Sequence, residues 1–262
     1  MSRTVEVNRT ESPVKAHVFF NGDKGRFGVL DSDMSDEIQE IAYPFHFVVL
    51  DADAFRVGGK VGLERNDPKF KSNIAHPKYG TDLRVWLEND ENNILAVGKW
   101  SQIKNKPALS KAKFTALIYI LADFGQGKKT ACLQLHGRAY SAWLTFIQGG
   151  KINPCGEHAF VVKGNAEMQG DKGRASLVPV FEITKVSAET LQLASEADAE
   201  LQAWLEMQFE KSGIPAAGAN RANYAASAVS EFAPNPYPPA IQQTTRGNAV
   251  SVALPETDDL PF

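Results

Sequence analysis

Cationic and aromatic side chains are interleaved in one stretch of the chain, between residues 56 and 129. Such a stretch could bind single-stranded DNA, because lysine and arginine neutralise phosphates while aromatic rings stack on bases, at about 1–3 kcal/mol per stacked base. In a second interpretation, Trp86 and Phe114 belong to a hydrophobic core and the lysines form an ordinary solvated surface. The residues expected to contact DNA are Lys60, Arg65, Lys69, Phe70, Lys71, Lys78, Tyr79, Arg84, Trp86, Lys99, Trp100, Lys104, Lys106, Lys111 and Lys113.

Two cysteines and two histidines could together supply the four ligands of a zinc ion. Cys132 precedes His136 by four residues, and Cys155 precedes His158 by three. This order and spacing match no common zinc-binding pattern, and Cys132 and His136 lie in an apolar segment. We therefore expect a buried cysteine, a hydrogen-bonded histidine and no bound metal.

Carboxylates on both sides of an apolar segment raise the alternative of a metal-dependent nuclease, which needs acids clustered around its metal. Their spacing fits no catalytic motif, and the chain has no nucleophile elbow, Walker motif or His-x-Glu pair. The sequence therefore predicts a protein that is not an enzyme and needs no cofactor. The acids concerned are Asp31, Asp33, Asp36, Glu37, Asp51 and Asp53.

Charge is unevenly distributed along the chain, although its net value is only −3 over 262 residues. Residues 99–113 contain five lysines and no acid, whereas residues 187–211 contain six acids and one lysine. The net charge argues against a uniformly basic nucleic-acid-binding protein, but it is compatible with a local basic patch.

The cysteine content and the apolar segments indicate the cellular compartment. Two cysteines are too few for a disulfide framework and fit a reducing environment. The sequence shows no signal-peptide pattern and no apolar run of about 18 residues. We therefore expect a cytoplasmic protein without a membrane partner.

Hydrophobic periodicity predicts a mainly β body with helices, of the α+β class. Strands are expected at 45–50, 114–121, 131–136, 158–162 and 177–186, with a hairpin formed by 83–87 and 94–100. Helices are expected at 138–148 and 187–211, and the second carries an apolar stripe that should dock on the sheet. Residues 51–80, rich in Gly, Asn, Pro and Lys, are expected to form a long functional loop.

The composition changes after the expected helix, and residues 212–253 are rich in Ala, Pro, Asn, Ser and Gln. A segment of this kind buries too little apolar surface to offset its ordering entropy, so we expect a disordered linker. The expected organisation is a binding body at 1–211, the linker at 212–253 and a short acidic tip at 254–262.

The last five residues are Asp258, Asp259, Leu260, Pro261 and Phe262. A basic-rimmed apolar pocket on another protein could bind the Phe262 ring and its α-carboxylate together. This ending resembles the acidic tip of bacterial single-stranded DNA-binding proteins (SSBs). In that family the tip recruits replication and repair enzymes, and an OB-fold binds the DNA.

The resemblance implies an OB-like antiparallel barrel in the body, with the helix at 187–211 docked on it. Segments 45–51, 113–119 and 133–146 also resemble SSBs of tailed bacteriophages, which implies a phage or mobile-element origin and the host cytoplasm as the location. The expected function is sequence-independent binding of single-stranded DNA during replication, recombination or repair. The alternatives are a single-strand annealing recombinase and an adaptor that presents the tip without binding DNA. Oligomeric state is left open.

Overall fold

The computed structural model describes residues 11–31, 37–61, 66–169 and 175–211. Their strands are β1 (Ala16–Asn21), β2 (Arg26–Asp31), β3 (Gln39–Ile41), β4 (Phe45–Lys60), β5 (Lys69–Ser72), β6 (Leu83–Leu87), β7 (Asp90–Gly98), β8 (Lys113–Asp123), β9 (Lys128–His136), β10 (Ala159–Gln169) and β11 (Ala175–Thr184). Their helices are α1 (Trp100–Ile103), α2 (Gly137–Gly150) and α3 (Ala188–Lys211), with short 3-10 helices at Pro77–Tyr79 and Pro107–Leu109.

The long strand β4 organises the sheet because it is paired along both of its edges. One edge pairs with β8 from Phe47 to Gly58, while the other pairs with β10 at its start and with β5 at its end. The main order is β3-β2-β1-β9-β8-β4-β5-β6-β7. The sheet is mixed, since β1 and β9 run parallel, and within the described ranges no strand pairing closes it into a barrel.

Side chains of β8 alternate between the two faces of this sheet, as strand geometry requires. The even-numbered residues point to one face, where they join two core clusters that Tyr140 connects. Ile118, Ile120 and Ala122 pack in the cluster of Trp143 from α2, and Phe114 and Ala116 pack in the cluster of Trp100 from α1. The odd-numbered residues from Leu117 to Leu121 lie on the opposite face, beneath α3. We call this second surface the α3 face.

Most of the expected elements are confirmed, including the hairpin of β6 and β7 and the helices α2 and α3. The loop expected at 51–80 is wrong, because β4 continues to Lys60 and β5 follows it. Two register shifts around Asp51 allow β4 to continue through its polar residues. These polar residues interrupt the apolar pattern by which a strand is recognised in the sequence. The expected antiparallel barrel is corrected to an open, mixed sheet.

Helix α3 packs on the sheet through Leu201, Leu205 and Phe209, all buried, as its apolar stripe predicted. Among the described helices, none combines the length and the apolar character needed to cross a membrane. The linker expected at 212–253 and the tip expected at 254–262 lie outside the described residues.

A buried polar network lies between α3 and the strands beneath it. His76 is fully buried, with Nε2 at 3.0 Å and 3.1 Å from the two carboxylate oxygens of Asp51. Its Nδ1 accepts the backbone N–H of Lys78, which assigns the ring proton to Nε2. Gln202 of α3 donates to Asp51 at 3.3 Å and accepts from the Tyr79 hydroxyl at 3.0 Å.

This network changes the acidity of Asp51. Burial alone would raise the pKa of its carboxyl group, but the hydrogen bond and electrostatic attraction from His76 outweigh it, and the Asp53 N–H and Gln202 add to them. The pKa of Asp51 is therefore below its usual value. The carboxylate stays ionised in the interior only because these donors surround it.

Replacing His76 by alanine should therefore destabilise the body strongly. The change opens a cavity and leaves the buried Asp51 carboxylate without its main donor, at an expected cost of about 3 kcal/mol or more. Urea unfolding followed by circular dichroism measures this loss. His46, which is exposed on β4, the strand of Asp51, is the control, and His46→Ala should change stability by less than about 0.5 kcal/mol.

The dependence of the unfolding free energy on pH, at acidic pH, provides a second test of the Asp51–His76 pair. Because the pKa of Asp51 is lowered in the folded state, its contribution is present above the ordinary carboxyl range and is lost as pH falls through the lowered pKa. Asp51→Asn should remove that part of the pH dependence. Equal stability of His76→Ala and the parent would contradict the role assigned to the network.

Candidate nucleic-acid interface

The part of the α3 face that α3 leaves open carries a concentrated set of cations. On β8 the alternation continues from Leu117 to Thr115 and Lys113, and strand pairing places Gly58 of β4 opposite both Lys113 and Lys71 of β5. Lys69 pairs with Lys60 in the same way. We call this surface the basic face; it comprises Arg56, Gly58, Lys60, Lys69, Lys71, Arg84, Trp86, Lys113 and Thr115.

An open groove of about 800 Å³ runs over the basic face. The cations that line it are Arg56, Lys60, Lys69, Lys71, Lys111 and Lys113, and Glu88 is the one acid among its described lining residues. With six cations against one acid, the groove concentrates a positive potential, which attracts a polyanion. These six cations come from three strands and the segment before β8, although they are scattered over 58 positions of sequence, from 56 to 113.

Trp86 supplies the aromatic ring of this surface. It is half-buried and lies directly opposite Lys71, whose Nζ is 6.0 Å from the ring centroid. The indole Nε1 is buried and has no hydrogen-bond acceptor among the residues that the structure describes. The arrangement places a partly exposed ring beside a cation, which is the combination that stacks on a base while holding the adjoining phosphate.

Several residues of this surface escaped the sequence-based prediction. Arg56 donates from Nη2 to Gln134 Oε1 at 2.7 Å, and Gln134 in turn lies 3.3 Å from His17 Nδ1. These contacts extend the polar surface across β9 to β1. The alternation of Arg56, Gly58 and Lys60 is a usable signal, but the Gly, Asn, Pro and Lys content of 51–80, which predicts a loop, conceals it.

Two histidines border the basic face, and both have a pKa below the usual value for histidine. Partial burial lowers the pKa of His17, and the nearby Arg56 lowers it further. Partial burial and then Lys113 lower the pKa of His136, partly offset by a backbone hydrogen bond. Both imidazoles are therefore uncharged at neutral pH, so that the permanent charge of this surface comes from lysine and arginine.

Three of the rings expected to stack on bases are engaged elsewhere. Phe70 and Trp100 are 3% and 5% exposed and belong to the core opposite the basic face, because strand alternation and α1 turn them inwards. Tyr79 stacks on Phe209 at a centroid distance of 4.9 Å and helps to hold α3. The expectation of accessible rings at Phe70 and Trp100 is corrected accordingly.

Four of the expected cations also lie away from the basic face. Lys99, Lys104 and Lys106 are exposed on the segment of α1 and the following turn, which packs against the opposite core through Trp100. Lys78 donates to Gln202 of α3. Arg65 and the tip residues Asp258, Asp259, Leu260, Pro261 and Phe262 lie outside the described residues.

The two other chemistries considered from sequence receive no geometric support in the described residues. Cys132 and His136 lie on one extended strand, so their backbones are about 13 Å apart. In the part of the chain that the structure describes, no group of three or more His, Cys, Asp or Glu residues is arranged to hold a metal. Asp51 is bound to His76, and Asp31 pairs with Lys129 at 2.9 Å.

The candidate interface consists of a β-sheet surface with a cationic groove and one partly exposed ring, placed beside a docked helix. Comparison with known proteins adds no relative to this description: no protein-family model matches the chain, and no curated protein or solved structure matches it. The interpretation therefore depends on the geometry of the site and on the sequence.

Proposed function

We propose that this protein binds single-stranded DNA without sequence preference. The observation that carries the proposal is the groove over the basic face, which is lined by six cations, one of which, Lys71, lies beside the partly exposed Trp86 ring. Lysine and arginine contact phosphates, which are the same in every sequence, and an indole ring stacks on any base. Such a surface binds the polymer itself and reads no particular order of bases.

The position of Trp86 favours a single strand over a duplex. In a duplex the base faces are stacked on one another, so a ring on the protein surface can reach them only when the bases are unpaired. The proposal retains the OB-like character implied by the resemblance in one respect: a sheet surface, rather than a helix in a groove, makes the contacts.

We further propose that residues 258–262 recruit replication, recombination or repair proteins of the host or of a phage, in the cytoplasm. The support is the sequence of the tip, which combines the carboxylates of Asp258 and Asp259 with the ring of Phe262. Together the two proposals describe a protein that coats single strands and brings enzymes to them.

Two sets of three lysines provide a charge-matched test of the basic face. Lys69, Lys71 and Lys113 lie on it and line the groove, whereas Lys99, Lys104 and Lys106 are exposed on the segment around α1 and line no part of the groove. Replacing the first set with glutamine should weaken binding and lower the slope of log affinity against log salt by about 2, since each neutralised phosphate accounts for about 0.7 of that slope. Replacing the second set with glutamine should leave the affinity and the salt slope near those of the parent.

Fluorescence anisotropy with single-stranded oligonucleotides of several sequences, and with the matching duplexes, measures these effects. Equal weakening in the two triple variants would show that overall charge, and not the basic face, determines binding. Duplex binding as tight as single-strand binding would contradict the proposed function.

The two tryptophans provide a separate test of stacking. Trp86→Ala should cost about 1–3 kcal/mol of DNA-binding free energy, because the ring that stacks on a base is removed. Trp100→Ala should instead cost about 3–5 kcal/mol of unfolding free energy, because it leaves a cavity in the core. Affinity and melting temperature are measured for both variants, and unchanged affinity in Trp86→Ala would remove that ring from the interface.

The tip is tested by Phe262→Ala, with Thr257→Ala as the control just before the acidic residues. Phe262→Ala should abolish most binding to a partner enzyme, since it removes the ring, whereas Thr257→Ala should have little effect. Calorimetry against host replication and repair proteins measures this binding. Deletion of 258–262 should leave DNA affinity unchanged or slightly higher, because a tethered acidic segment competes with phosphates. A partner that does not distinguish Phe262→Ala from the parent would contradict recruitment by the tip.

A further inference from the structure

Gly58 occupies the middle of the basic face, and the fold itself gives no reason for a glycine there. Glycine in a strand interior lowers stability, so its presence needs an explanation. The glycines with positive φ do not include Gly58. A methyl group on its Cα would approach only the Phe70 carbonyl oxygen, at an ordinary contact distance of 3.4 Å. Neither the backbone conformation nor the packing therefore requires glycine at position 58.

The adjacent Gly59 shows what a packing requirement looks like on this strand. It points to the opposite face, where a methyl group would lie 2.4 Å from the Lys111 carbonyl oxygen and 2.9 Å from the Phe70 ring. That position cannot carry a side chain without displacing the backbone before β8. The contrast leaves Gly58 as the residue whose bare backbone is open to the groove.

The surroundings of Gly58 are cationic on every side that the sheet defines. Lys71 and Lys113 are its direct partners on the two flanking strands, about 5 Å away between backbones. Arg56 and Lys60 are two residues away on β4, about 7 Å along the strand and on the same face. The Cα of Gly58, which carries no side chain, is thus surrounded by four cationic residues.

We propose that Gly58 forms the base of a binding site for one phosphodiester group of the bound single strand, an inference that rests on the proposed function. We call this site the phosphate seat. The missing side chain lets the phosphate approach the sheet closely enough for several of the surrounding cations to contact it. Any larger residue at this position would hold the phosphate away from them without altering the charge of the groove.

The neighbouring side chains favour a phosphate over a base at this position. The four residues around Gly58 offer charge and no ring, whereas Trp86 lies on β6, two strands away. Two strand spacings amount to about 10 Å. The geometry therefore separates a phosphate seat over Gly58 from a base platform on Trp86.

The test is Gly58→Val, because the valine side chain fills the space above residue 58 and leaves every charge in place. Its affinity for a single-stranded oligonucleotide should fall on the order of tenfold, and the salt slope should decrease by about 0.7, the value for one phosphate. An abasic oligonucleotide of equal length should show the same fold reduction in affinity, because the seat takes a phosphate. Gly164→Val is the matched control, since Gly164 lies on β10 outside the groove and a methyl group there meets nothing within 4 Å; its affinity should equal that of the parent.

Each result separates this inference from the proposed function. If Gly58→Val binds like the parent while Lys69, Lys71 and Lys113 matter, the basic face binds DNA but the seat is wrong. Weaker binding seen with the normal oligonucleotide and not with the abasic one would assign the position to a base and overturn the phosphate seat. If the parent binds no single-stranded DNA, both proposals fail. Should Gly58→Val not fold, Gly58→Ala, with its 3.4 Å contact, carries the same test.

Discussion

The alternation of side chains along β8 and β4 is the constraint on which the rest of the structure depends. Successive residues of a strand must point to opposite faces, so each strand supplies apolar groups to a core and a second set to the other surface. On β8 the second set changes character, from Leu117 beneath α3 to Lys113 at the open end. The docking site of α3 and the proposed DNA-binding surface therefore share one face of one sheet.

The extent of the basic face follows from where α3 docks. The helix covers the apolar part of its face through Leu201 and Leu205, and the buried pair of Asp51 and His76 lies beneath it with Gln202. Because a buried carboxylate is costly unless it is hydrogen-bonded, this network favours one position of the helix over its neighbours. The position of α3 in turn decides which strand residues remain accessible to a ligand.

Lysines that are close in sequence do not all lie on the same surface of the folded protein. Of the run at 99–113, the structure assigns Lys111 and Lys113 to the groove and leaves Lys99, Lys104 and Lys106 exposed on the segment around α1, outside the groove. Arg56 and Lys69, which lie outside the run, join the groove through strand pairing. The proposed function accordingly depends on pairing register more than on the number of lysines.

The sequence by itself determined the class of the fold, most of the strands, the helices α2 and α3 and the buried stripe of α3, because periodicity reports which side chains must be buried. It also identified Lys69, Lys71, Lys113 and Trp86 by chemical type. Only the tertiary structure decided that these residues share a surface, that Trp100 belongs to the core and that Gly58 lies between two lysines. Register is set by contacts between strands far apart in sequence, and a shift of one residue would reverse every one of these assignments.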